Sequence, residues 1–545
     1  MRFEFAKKII HAEGVENTQA FCKEKCLQIG LGERDCVCFQ GKSFVILDFG
    51  KELAGGARLL TFEVKGDKRV RLRFGESVAE TCAELGSGYK LATNDHSLRD
   101  MTVELQNYSD MTFGQTGFRF LRIDTLSDDT VLTMKTAVAD TCIDQRAELG
   151  SFICDDEQVN EIWKTAAHTL RLCLQNGYFW DGIKRDRLVW IGDLYPEMRA
   201  AHCLFGDVPE TVNSLDFAME QTPLPAWING IQSYSVWWLI ILAEEWATYG
   251  DKPQFAAYLP YANGILRQLS EAVREDGTLT FSWNFVDWPT NFTENAPIEK
   301  KEDSETGVAY LIRIAMQKLL PFLRAYGQDT SLCEDILRRV SASKKEVLRY
   351  KQIAALGVWA GDVSARNQRL VLDGGAMGLS TFMSYPILTA AADCGEYEAA
   401  LNMMKDYYGG MLSVGATSFW EDFDLEWLEN AGRIDEMPVE GKVDIHGDKG
   451  AFCYLGFRHS FCHGWAAGVI PYLIETVAGV KSTEAGLRSI VIQPHLSGLK
   501  HVRAAVPTPY GVLTVEHTLQ EDGSVKTSFN APEGVSVELK NETNF

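Results

Sequence analysis

The sequence predicts a multidomain chain: an all-α toroid flanked by an N-terminal β-sandwich and a smaller C-terminal β-sandwich. Three observations carry this expectation. The 545 residues exceed what one hydrophobic core holds, so two to four domains are expected. Strand-like alternation fills residues 1–145, and helical i, i+3, i+4 spacing then takes over. After Gly486 the pattern returns to short strands.

In order along the chain, the segments Phe44–Gly50, Leu59–Val64, Val70–Gly75, Met101–Leu105 and Phe118–Ile123 read as strands parted by Gly, Asp and Asn, in a sandwich over residues 1–145. Helical periodicity marks Val159–Leu174, Leu194–Phe205, Ser233–Tyr249, Phe255–Arg274, Thr306–Tyr326, Leu332–Leu348, Ser380–Asp393, Glu398–Tyr408 and Cys462–Val480. Gly206-Asp207 reads as a helix stop. These helices form hairpins of similar length over residues 146–486 with few strands between, which fits a toroid better than a βα barrel. Their loops are long and rich in Trp, Asp and Gly, and loops of that kind carry function. Strands from Ser489, Val502, Gly511, Val525 and Val535 make up a third domain over residues 487–545.

Hydrophobic content of 46% and charged content of 23% are ordinary for a globular protein. A net charge of −22 argues against nucleic acid and anionic membrane as partners, because both need a basic surface. Thirteen Trp suit sugar binding, where C–H faces pack on indole rings, although most Trp in any protein are core. The 13 cysteines, odd in number and scattered, fit reduced cytosolic thiols, and the Cys22, Cys26, Cys36, Cys38 spacing suits no common zinc site. The first residues contain no apolar run long enough for a signal peptide, which predicts a cytoplasmic protein. No cofactor is expected, and a monomer and a homodimer are both open.

The stretch Asp181-Gly-Ile-Lys-Arg-Asp-Arg-Leu-Val-Trp-Ile-Gly-Asp193 is dense in charge yet interrupted by apolar residues between two helices. It reads as a loop aiming carboxylates, guanidinium groups and an indole into a pocket. Gly182 and Gly192 are expected to turn the backbone, and Asp193 to cap the following helix. A solvated loop with local ion pairs is the competing reading. Further aromatic and acidic loops are Trp227-Ile-Asn229-Gly, Trp283-Asn-Phe-Val-Asp287-Trp288 and Phe419-Trp-Glu421-Asp422, with His459-Ser-Phe-Cys-His463 opening the last helix. Carboxylates and aromatics on several loops of a toroid fit glycoside chemistry, which needs an acid for the leaving oxygen and a base for water. There is no His-Glu-x-x-His and no Gly-x-Ser-x-Gly, and Ala54-Gly55-Gly56 lacks the Lys-Ser/Thr ending of a phosphate loop.

The pattern Asp181-x-x-x-Arg185-Asp186-Arg187-Leu-x-Trp190-x-Gly192-Asp193 resembles the signature loop of the α-L-rhamnosidases of glycoside hydrolase family 78. Leu47-Asp-Phe-Gly-Lys-Glu, Arg73-Phe-Gly-Glu and Gly117-Phe-Arg-Phe resemble the β-sandwich ahead of that family's barrel. Gly415-Ala-Thr-Ser-Phe-Trp-Glu421 resembles its later barrel motif, and Pro494 with Thr508-Pro-Tyr-Gly511 its C-terminal domain. The resemblance implies an (α/α)6 barrel, inverting hydrolysis of terminal α-L-rhamnose from a rhamnose-containing oligosaccharide or glycoside, and no catalytic metal. It places Asp186 as general acid, where many members have Glu, and Glu421 as general base. Asp181, Arg185, Trp190, Asp193 and His463 fall on sugar-binding positions, and Trp227, Asp287 and Trp288 on the aromatic wall. Asn229 stands where an acidic residue is usual, and the segment from Glu421 to His463 is long. Two alternatives stay open: a hydrolase or lyase for another sugar on the same scaffold, and a catalytically silent carbohydrate-binding protein.

Overall fold

The computed structural model describes residues 3–32, 34–84, 99–250, 252–290, 298–343, 345–452 and 454–540. Its first part is an antiparallel seven-stranded sheet in the order Phe3–Phe5, Val131–Thr141, Val37–Lys65, Ser109–Thr125, Arg69–Gly75, Asp100–Glu104, with Lys8–Glu16 also paired to Val37–Lys65. The alternation noted in the sequence places Val45, Leu47, Phe49, Phe118 and Leu121 in one buried core. Val37–Lys65 is long enough to pair with three strands, and its register to Ser109–Thr125 shifts after Asp48 and after Gly55. Gly55 and Gly56 allow this: a Cβ there would meet Asp140 O at 2.1 Å and Gly114 O at 2.4 Å.

The helical part holds two sets of helices. Ile191–Phe205, Gln232–Tyr249, Ile298–Ala325, Lys351–Trp359, Ser384–Asp393 and Val469–Tyr472 each pack on the next, and the last packs on the first. Outside them lie Glu157–Cys173, Pro209–Gln221, Phe255–Ala272, Ser331–Ala342, Ala365–Leu372 and Tyr397–Ser413. Asp156 caps the Glu157 helix by accepting the N–H groups of Gln158 and Val159. Three of these helices are absent from the sequence expectation. Lys351–Trp359 is buried almost all round, so it shows no amphipathic period. Ala365–Leu372 is short, and Pro209–Gln221 carries few apolar residues.

The segment expected as one helix from Cys462 to Val480 is instead a 3-10 turn (Gly464–Gly468), an α turn (Val469–Tyr472) and a π turn (Leu473–Val477). Pro471 removes a donor from the ladder, which favours a change of period there. The C-terminal part has a four-stranded sheet, Val525–Asn530, Gly511–Leu519, His501–Thr508, Ser151–Cys154, and a three-stranded one, Val480–Ser482, Ser489–Ile492, Ser536–Leu539. Ser151–Cys154, which precedes the first long helix, therefore completes a sheet otherwise built from the end of the chain.

The N-terminal sheet docks on the helical part through buried charge. Arg119 forks onto both oxygens of Asp48 at 2.9 Å, and its third nitrogen donates to Gly415 O at 2.9 Å. Breaking a buried pair from one side leaves the other charge stranded. Asp48→Ala is expected to destabilise the protein by about 3–5 kcal/mol, read as a lower urea midpoint.

Candidate active site

Three loops are laced together by backbone hydrogen bonds. Asp181 N–H donates to Leu188 O and closes the first loop. Gly464 N–H donates to Asp181 O at 2.8 Å, and Gly182 and His463 form an isolated bridge. His463 N–H donates to Phe419 O, and Glu421 N–H to Ser460 O, each at 3.0 Å. Gly182 and Gly192 serve close approach rather than turning. A Cβ on Gly182 would lie 3.0 Å from Cys462 O, and one on Gly192 would lie 2.6 Å from the Tyr234 ring. The turn itself falls on Asp186 and Arg187, both left-handed at φ 56° and 55°.

The Ile191–Phe205 helix begins after Trp190, so Asp193 sits within its first turn instead of capping it. The cap is supplied from elsewhere. Asn229 Oδ1 accepts the Ile191 N–H, while its Nδ2 donates to Val189 O, both at 3.1 Å. That pair of bonds needs an acceptor and a donor on one side chain, which an amide has and a carboxylate lacks.

Arg185 occupies the centre. Its guanidinium donates to Asp186 Oδ2 at 2.5 Å, to Glu421 Oε2, and through Nε to Arg458 O at 2.7 Å. Glu421 Oε2 also accepts the Ser460 N–H at 3.2 Å, while Oε1 faces His463 Nδ1 at 3.9 Å. His463 Nε2 lies 3.0 Å from Asp193 Oδ1, and the Tyr234 hydroxyl donates to Asp193 Oδ2 at 3.4 Å. Glu421 is buried, whereas the Asp186 side chain keeps 23% of its surface exposed. One carboxylate is thus enclosed and the other reaches outward, with a single guanidinium between them.

Burial sets the protonation of the surrounding groups. It pushes Asp181 up to about 8, with Asp193 adding to the rise and His463 opposing it. Burial raises Asp193 as well, against its bond to His463. Burial alone would discharge His463, but Glu421, Asp193 and Asp181 outweigh it and raise its pKa. Asp287 is pushed up to about 7 by burial, against its bond from Ser380. Asp422, beside Glu421, is pushed up to about 7 by burial and by the Asp287 carboxylate.

Of the residues singled out in the sequence, Asp181, Arg185, Asp186, Asp193, Glu421 and His463 thus converge. Trp190 joins them through Tyr234, edge-on at 6.1 Å. Trp288 stands edge-on to Phe285 at 5.2 Å, and Trp227 edge-on to Phe281 at 5.4 Å. Sequence reasoning missed Tyr234, Ser460 and Lys184. The first two carry no charge, and the partners of Lys184 lie far from it in the sequence.

Glu76, Glu80 and His446 could by type and spacing hold a metal ion. The Lys184 ammonium lies among them, 2.9 Å from Glu80, 3.3 Å from Glu76 and 3.2 Å from His446 Nε2. A separate cavity of about 600 Å³ opens at the opposite ends of the same inner helices, lined by Arg199, Glu244, Lys318, Tyr385 and Glu475. Those groups pair with one another: Arg199 with Glu244 and Glu475, and Lys318 with Glu244.

Comparison with known proteins gives the fold a context. Residues 147–322 match the family model of the bacterial alpha-L-rhamnosidase six-hairpin glycosidase domain, and residues 479–543 that of the bacterial alpha-L-rhamnosidase C-terminal domain. No curated protein matches the chain. A GH78 rhamnosidase of Bacillus sp. GL1 superposes with a TM-score of 0.70 at 20% identity, over 93% of this chain and 54% of that one. Streptomyces avermitilis alpha-L-rhamnosidase, complexed with L-rhamnose, superposes with a TM-score of 0.68 at 16% identity, over 99% and 50%. For a Klebsiella oxytoca rhamnosidase with rhamnose bound the values are 0.65 and 16%, over 87% and 95%. At these identities the likeness is one of fold, and the chain spans about half the length of the Bacillus and Streptomyces proteins.

The raised acids make stability depend on pH. Asp181 at about 8, and Asp287 and Asp422 at about 7, hold protons that the unfolded chain releases near 3.8. Between those values the folded state binds more protons, so stability present at pH 4 is lost as pH rises towards 8. Asp181→Asn is expected to flatten this slope, measured by urea unfolding at several pH values.

Proposed function

We propose that this chain, whose residues 147–322 and 479–543 match the bacterial alpha-L-rhamnosidase six-hairpin and C-terminal domain models, hydrolyses terminal α-L-rhamnosides with inversion at the anomeric carbon. The observation that carries the reading is the pairing of a partly exposed Asp186 with a buried Glu421 across one guanidinium. The closed ring of six packed helices supports an (α/α)6 toroid as its scaffold.

In this reading the sugar enters from the Asp186 side and exchanges the Arg185–Asp186 bond for one between Asp186 and the glycosidic oxygen. Asp186 gives its proton to that oxygen as the bond to the anomeric carbon breaks. Glu421 Oε2 stays anchored by Arg185 and the Ser460 N–H. Oε1 takes the proton of a water that attacks from the opposite face. His463, held by Asp193 and raised towards its charged form, orients that oxygen. Trp190, Trp227 and Trp288 are half-buried and offer ring faces to the sugar. The rhamnose bound in the Streptomyces and Klebsiella proteins supports this choice of sugar.

Asp186→Asn and Glu421→Gln are each expected to fold and to lose about a hundredfold in turnover of a rhamnoside with a poor leaving group. Near-normal turnover by the Glu421 variant would remove it from the role of base. Inversion is checked by proton NMR early in hydrolysis: β-rhamnose is expected first, and α-rhamnose first would overturn the single displacement.

A further inference from the structure

We propose that Glu76, contributed by the N-terminal β domain, is a positioning residue that sets the separation of the two catalytic carboxylates. One oxygen of Glu76 bonds both the loop that carries Asp186 and the neighbouring loop that holds Glu421. Its Oε2 accepts the Phe461 N–H at 2.7 Å and lies 3.3 Å from the Lys184 ammonium. Lys184 stands two residues before Asp186. Phe461 follows Ser460, whose N–H and C=O are both bonded to Glu421. The Glu76 side chain is buried at 1% exposure, so this bridge is shielded from water.

The rest of the cluster holds the bridge in register. Lys184 donates also to His459 O at 2.9 Å and pairs with Glu80, which is in turn bonded by Arg99. Ser77 Oγ lies 2.7 Å from His446 Nδ1 and fixes that ring. Burial, with Lys184 adding to it, pushes His446 down to about 3, so the ring is neutral beside the ammonium. Glu76 lies 385 positions from Phe461 and about a hundred from Lys184 along the chain, so neither loop fixes it locally. A shift of one loop against the other of about 1 Å is enough to depress turnover strongly, because acid, water and base must align on one anomeric carbon. The inference rests on the assignment of Asp186 and Glu421 made above.

The test compares Glu76→Gln, which keeps the shape but loses the charge facing Lys184, with Glu76→Asp, which keeps the charge but withdraws it by one methylene. For each, kcat, KM and the kcat–pH profile on a poor-leaving-group rhamnoside are measured alongside thermal melting and Phe461 amide exchange. Both variants are expected to fold, to lose roughly tenfold or more in kcat with KM nearly unchanged, and to shift the pH optimum as the two carboxylates change their coupling. Phe461 amide exchange is expected to speed up in both. Folded variants with unchanged kcat and pH profile would overturn the proposal. So would failure of both to fold, which would make Glu76 a folding residue, or a loss of activity that only tracks the folded fraction. If the unaltered protein does not cleave rhamnosides, the functional reading fails, and Phe461 exchange still reports whether the bridge exists.

Discussion

The structure depends on one buried ammonium. Lys184 is almost fully enclosed and would be costly there if unpaired. Its charge is met by Glu80 and Glu76 from the N-terminal domain, and its remaining donor capacity by His459 O and the neutral His446 ring. Charge alone does not explain the arrangement, because a buried ion pair can be replaced by apolar groups with no loss of stability. What the ion pair adds is direction. The loop that carries Asp186 has one depth and one orientation at which Lys184 is satisfied, and the N-terminal sheet and helices meet around that point.

The remaining loop contacts follow the same logic at lower cost. The N-terminal sheet holds the first loop by Gly117 N–H to Ile183 O and by Thr116 Oγ1 to Lys184 O. It holds the second by Glu52 N–H to Thr417 Oγ1 and Arg119 to Gly415 O. Loops that would be free to move on an isolated helical ring are therefore held by a sheet on one side and by each other on the other. Side chains held in this way keep their geometry without help from a ligand.

Much of this was legible in the sequence and some of it was not, for identifiable reasons. Strand alternation and helical spacing are local signals, and Phe118–Ile123 and Gln232–Tyr249 lie where those signals put them. The convergence of Asp181, Arg185 and Asp193 was one of two readings of a stretch where apolar residues interrupt dense charge, and the solvated loop was the other. Lys184 did not show, since its partners lie far away in sequence. Asn229 looked like a departure from a pattern, and its reason appears only when both ends of its amide find the backbone of another loop. Asp193 looked like a helix cap because caps are assigned from neighbours, and here a distant residue capped the helix and released Asp193 for His463. The β motifs Leu47-Asp48 and Arg73-Phe-Gly-Glu76 read as supporting strands, yet Asp48 holds the Arg119 that donates to Gly415 O, and Glu76 accepts the Phe461 N–H.

The strand Ser151–Cys154 has a further consequence for how the protein is made. Its partner, His501–Thr508, leaves the ribosome some three hundred and fifty residues later, and the turn Val469–Tyr472 that closes the helix ring comes nearly as late. Until then the nascent chain carries an open ring whose first inner helix, Ile191–Phe205, lacks the segments Gly464–Gly468, Val469–Tyr472 and His501–Thr508 that pack on it. Such exposure favours association with other nascent chains. Synthesis of residues 469–508 is then the step at which the apolar interior is first fully covered, and a polypeptide cut short before residue 469 would lack both the closing turn and the partner strand.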